Sequence, residues 1–148
     1  MAIWRYLASG AVLAVLLAAA PAQAHPHVWV TVETKVLFNE AGAITGFRHS
    51  WIFDEYYTAF ALQGMDANGD GEYSAAELEP LARTNIESLG DFEYFTFAEL
   101  DGKKLLRTDP VDYELVYDGA LLTLHFTLPL AEPVPAGQAG QFSFSVYD

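Results

Sequence analysis

The sequence predicts an α+β fold, an antiparallel β-sheet or sandwich carrying an inserted helix-loop-helix. Three observations predict it. Apolar residues recur at period two on either side of a central section. Two Asp-Gly turns join such stretches into hairpins. The central section carries helix caps on both sides of an acidic, glycine-containing loop.

The first 24 residues read as an export signal. Arg5 gives a positive start, "LASGAVLAVLLAAA" (Leu7 to Ala20) is an apolar run, and "AQA" (Ala22 to Ala24) offers small residues for cleavage. The run has 14 residues, short of the roughly 20 that span a bilayer. Cleavage after Ala24 gives a periplasmic chain of 124 residues, one domain by size, with no stable membrane insertion.

The first strand is read from "HVWVTVETKVLF", with Val28, Val30, Val32, Val36 and Phe38 on one face. "NEAGA" is a turn. "ITGFRHSWIF" (Ile44 to Phe53) is the second strand, with Phe47, His49, Trp51 and Phe53 sharing a face. The helical insertion covers about 54–89. Asp54 caps a helix over "EYYTAFALQ". "SAAE" (Ser74 to Glu77) is a capping box opening a second helix with Leu78, Leu81, Ala82, Ile86 and Leu89 along one stripe, closed by Gly90. The hairpin "FEYFTFAEL", "DG", "KKLLR" follows, and then "VDYELVY", "DG", "LLTLHFTL". "PLAEPVPAGQAG" reads as a loop, and "QFSFSVYD" as a last strand. Ending inside a strand pattern predicts a chain truncated at its C-terminus.

Net charge is −13, and −14 once Arg5 is removed with the signal. That sign opposes nucleic-acid binding and favours cations. There is no cysteine, so any transition metal must be held by histidine, carboxylate or backbone groups.

"DANGDGEYSAAE" (Asp66 to Glu77) fits the calcium-loop pattern D-x-[DN]-x-[DN]-G-x5-E at every specified position. A chance match somewhere in the chain is on the order of a few in ten thousand. Calcium takes six to eight oxygens in a flexible cage. Asp66, Asn68 and Asp70 would supply side-chain oxygens and Glu72 its carbonyl. Ser74 would act directly or through water, and Glu77 would close the cage. Gly71 permits the sharp turn. One departure stands out: position 8 is Tyr73, where an aliphatic residue usually pairs with a second hand, and there is no second loop. A lone hand predicts weak, structural binding, with a dissociation constant on the order of 0.1 to 1 mM.

The histidines are His25, His27, His49 and His125. Cleavage after Ala24 would give His25 a free α-amine beside its imidazole, a brace that favours Cu(II) or Ni(II). Pro26 has no N–H, which excludes the amine-plus-third-histidine site that needs a deprotonated second amide. In an extended chain His25 and His27 point the same way. His125 lies on the Thr123/Thr127 face, opposite the leucines. For His49 a ligand and a hydrogen-bonded core residue are equally open readings. No G-x-S-x-G turn or phosphate loop is present.

"AHPHVWV", "RHSWIFDEYYTAFALQ" with the loop that follows, and "LTLHFTLPLAEPV" resemble a family of uncharacterised bacterial periplasmic proteins. Its members are labelled the periplasmic component of an unassigned ABC-type transport system, and their genes often lie beside nickel/cobalt permeases. The likeness covers nearly all of the mature chain. It implies transition-metal handling at the matching positions His25, His27, His49, Trp51, Asp54 and His125, beside the loop 66–77. It also implies a further strand after "VYD". The length leaves no room for the two lobes of a solute-binding protein.

The resulting expectation is a non-enzymatic accessory protein. It holds structural Ca²⁺ and passes Ni²⁺ or Co²⁺, with Cu²⁺ or Zn²⁺ as alternatives, to an inner-membrane permease. A copper-brace enzyme and a calcium-stabilised interaction domain stand beside it.

Overall fold

The computed structural model describes residues 28–135, 137 and 140–147. The signal segment, His25 and His27 lie outside the described residues. Among those described, seven strands and two helices form an α+β fold with two antiparallel sheets. The strands are β1 (Val30–Phe38), β2 (Ile44–Phe53), β3 (Thr96–Leu100), β4 (Lys103–Lys104), β5 (Val111–Tyr117), β6 (Leu122–Val134) and β7 (Phe142–Val146). The helices are α1 (Glu55–Ala61) and α2 (Ala75–Gly90). One sheet runs β1-β2-β6-β5 and the other β4-β3-β7.

β2 buries Phe47, His49, Trp51 and Phe53 on the face its alternation marks. β6 adds Leu122, Leu124, Phe126 and Leu128 to the same side. α2 lays Leu78, Ala82 and Ile86 on this surface. Burying each larger aliphatic chain is worth roughly 1.5–3 kcal/mol. The smaller sheet covers the other end, where Phe47, Ala98, Leu130 and Val134 form a second cluster.

Caps position the helices. Asp54 accepts from the backbone amides of Tyr56 and Tyr57 to start α1. Its other oxygen accepts from the Trp29 amide at 2.7 Å, tying the start of β1 to the end of β2. These amides hold the Asp54 carboxyl below its usual range, Tyr57 first and then Trp29. Thr58, buried, accepts from the Leu122 amide and fixes α1 to β6. The capping box of Ser74 and Glu77 opens α2.

Five expectations change. α1 ends at Ala61, and Gly90 is the last helical residue of α2 rather than a left-handed cap, since Asp91 after it is right-handed. A Cβ at Gly90 would lie 3.2 Å from the Tyr94 hydroxyl, a tight contact that asks a small shift of that ring. "FEY" is not strand. Glu93, Tyr94 and Phe95 have φ of 55°, 54° and 48°, a left-handed turn. Each such residue costs roughly 1–2 kcal/mol. The turn persists because Tyr94 is buried against Phe126 under the Arg107 guanidinium, and Phe95 packs between Phe92 and Trp51. The "KKLLR" strand shortens to Lys103–Lys104, with Arg107 bridging to Leu130.

The fifth change is that β6 runs through the expected Pro/Gly loop as far as Val134. Pro129 is tolerated because it faces Gly46 beside a register shift, where the extra residues between Pro129 and Val134 bulge from β6, a place in a sheet that accommodates proline. A Cβ on Gly46 would lie 2.6 Å from the Leu128 carbonyl oxygen and 2.9 Å from the Pro129 Cα. Gly46→Ala should therefore cost on the order of 1–3 kcal/mol, read by urea denaturation.

Candidate metal centre

The loop between the helices is wound by its own side chains. Asp66 accepts from the amides of Gly69, Asp70 and Gly71. Asn68 Oδ1 accepts from the Asp70 amide, and Asp70 Oδ1 from that of Glu72. Glu77 reaches back across the loop. Its Oε1 accepts from Ala67 and Asn68, and its Oε2 from the amide and hydroxyl of Ser74. Those bonds, led by the Ser74 hydroxyl, hold its carboxyl below the usual range. Gly71, at the sixth position, has φ 81°, which a Cβ would disfavour. The donors are all oxygen and sit in the order a hard cation needs. The carboxylates of Asp66, Asp70 and Glu77 turn onto loop amides. Among the described residues no three histidine, cysteine or acidic side chains gather as a metal group.

Tyr73 departs from the loop pattern for a visible reason. Its ring meets Tyr117 edge-on, centroids 5.4 Å apart, and it packs against the main core. Tyr117 is the last residue of β5.

The two described histidines have different surroundings. His49 is fully buried, with its ring 4.8 Å from that of Phe126. Its Nδ1 lies 3.0 Å from the Thr34 hydroxyl and its Nε2 3.3 Å from that of Thr96. Thr96 spends its only hydroxyl proton on the Tyr94 carbonyl, so it accepts from Nε2–H, and Nδ1 accepts from Thr34. Both ring nitrogens are therefore occupied, and the residue joins both sheets. Burial lowers its pKa to about 4. His49 is a neutral core residue with no free lone pair.

His125 is half-buried on the opposite face of the same sheet. Its Nδ1 meets the Ser50 hydroxyl at 2.9 Å. The register sets Glu33, Ser50, His125 and Glu114 in one row across four strands. His49 pairs with Phe126, one residue away, so the sheet separates the two histidines and one ion cannot touch both.

Sequence reading did not find a groove of about 610 Å³ between β1 and the end of β7. Trp51 and Phe95 line it, and the walls are Val28, Val30, Val32 and Tyr147. The Trp51 Nε1 is buried there with no hydrogen-bond partner among the described residues. The signal available beforehand was Trp51 itself, a polar-tipped ring on a core face. No described helix is long and apolar enough to cross a membrane.

A family model described as protein of unknown function (DUF1007) matches residues 10–148. No curated protein and no solved structure matches.

Proposed function

We propose, from the premise that the chain belongs to the DUF1007 family of proteins of unknown function, that it is an exported, non-enzymatic metal-binding accessory protein. One calcium ion would sit at the loop, held by Asp66, Asn68, Asp70, Ser74 and Glu77 with the Glu72 carbonyl. It would join α1 to α2 and so stiffen the core surface that α2 covers. The observation that carries this reading is the loop. Its twelve residues match the spacing, its backbone turns at Gly71, and a capped helix follows it on the side where Glu77 must stand.

The second part of the proposal is transient holding of a divalent transition metal, Ni²⁺ or Co²⁺, for an inner-membrane permease. It rests on His25 and His27 at the mature N-terminus. His49 is spent on its threonines, and His125 can assist only from the open sheet face.

The test is native mass spectrometry of the chain exported to a bacterial periplasm, with calcium present and nickel, cobalt, copper and zinc added in turn. The expected species starts at His25 and carries one calcium and one transition metal. His25→Ala with His27→Ala should lose the transition metal and keep the calcium. Unchanged nickel and copper binding in that variant overturns the second part. Loss of calcium from the wild type overturns the first. Copper will bind most tightly in vitro whatever the cell supplies, so rank of affinity does not name the metal.

A further inference from the structure

β1 pairs with β2 on one side and, among the described residues, with nothing on the other. Along this nine-residue edge the N–H and C=O groups of alternate residues point away from β2, a template for another strand. Its sequence, "VTVETKVLF", has an internal symmetry. Laid antiparallel on itself about Thr34, it sets Glu33 opposite Lys35 twice, Val32 opposite Val36 twice and Val30 opposite Phe38 twice, with Thr31 against Leu37 as the one unmatched pair. The charged pairs fall on the open polar face, where Glu33 and Lys35 are both exposed. On the other face Val30 and Val36 pack against the two core clusters, and the register with β2 shifts between Leu37 and Phe38. Val32 is 36% exposed and Phe38, beyond that shift, is 61% exposed, so both are open to a partner strand.

We propose that β1 pairs with β1 of a second copy of this chain, antiparallel about a two-fold axis at Thr34, joining two four-stranded sheets into one of eight. The contact is isologous, each copy giving the other the same strand. Charge sets the register. A two-residue slip keeps the faces but brings Glu33 onto Glu33 in one direction and Lys35 onto Lys35 in the other. A one-residue slip sets apolar against polar faces. The pairing also brings Phe38 of each copy beside Val30 of the other, against the wall of the groove that Val28, Val30 and Val32 line.

The measurement is sedimentation equilibrium of the exported chain in about 0.15 M salt, where repulsion between two acidic copies is screened beyond about 8 Å. A dimer is expected. Lys35→Glu and Glu33→Lys should each weaken it about tenfold or more, because each turns two attractive cross-strand pairs into repulsive ones. The double variant, Glu33→Lys with Lys35→Glu, restores opposite charges at both pairs and should return to within about threefold of the wild type. Both side chains are exposed, so near-UV circular dichroism should be unchanged in all three variants. A wild type that stays monomeric to about 500 µM overturns the proposal. So does a dimer that neither single variant weakens, or a double variant no tighter than the singles.

Discussion

Taking the protein from about pH 7.5 to about pH 5 should remove about 2 kcal/mol of stability through His49 alone. The sign follows from where the proton binds. In the folded protein His49 stays neutral until about pH 4, because burial penalises its charged form. In the unfolded chain it protonates near 6.5. Between those values the unfolded state binds the extra proton, so stability is full above 6.5 and falls as pH drops toward 4. Protonation would also force Nδ1 to donate toward Thr34, which now donates to it. The carboxyls of Asp54, Glu77, Glu93 and Asp118 are held below their ordinary values, so their losses come at lower pH than the upper part of this window. Urea denaturation of wild type and His49→Gln at intervals from pH 5 to 7.5 checks this. The variant should be weaker at pH 7.5 by roughly 1–3 kcal/mol, from the disturbed threonine bonds, and its pH slope should be nearly flat. A slope equal to that of the wild type would show that the proton binds elsewhere.

Calcium at a hundredfold excess over its dissociation constant should stabilise the wild type by about 2.7 kcal/mol, and Asp66→Asn should lose most of that gain. For a single hand with a dissociation constant of about 0.1 mM this means about 10 mM calcium. Asp66 is the informative position because it accepts from three loop amides and opens the donor series. Asparagine keeps one acceptor oxygen for those amides and removes the charge. The variant should therefore match the wild type more closely in chelator than in calcium. Melting curves in chelator and in calcium give the comparison. Chelation should lower the wild-type midpoint without unfolding the chain, because the oxygen donors of the loop lie outside both apolar clusters and Tyr73 keeps its packing on the core. Equal calcium shifts in the two proteins would place the ion elsewhere, and no shift in either would leave the loop a self-bonded turn.

What could be read from the sequence was what short-range chemistry decides. β2 spans the residues its alternation marks, Ile44 to Phe53. The Asp54 cap and the Ser74–Glu77 box were legible because each bond closes within three residues. The winding of the loop from Asp66 to Glu77 and the α2 stripe follow from spacing alone. Departures came where distant chain segments decide. Pro129 looked like a loop residue and sits in a strand because Gly46, 83 positions earlier, leaves room for it. Glu93 to Phe95 looked like strand and form a left-handed turn because Tyr94 is drawn under Arg107. The histidines show the same division. Alternation placed His49 among aromatics and His125 among threonines, strand by strand. Only the pairing of β2 with β6 fixed which face of the shared sheet the core covers, and so made one histidine a buried link between sheets and left the other open. Local hydrogen bonding and periodicity are written in the sequence. Register between strands, and the burial that follows from it, are set by the packing of residues far apart in the chain.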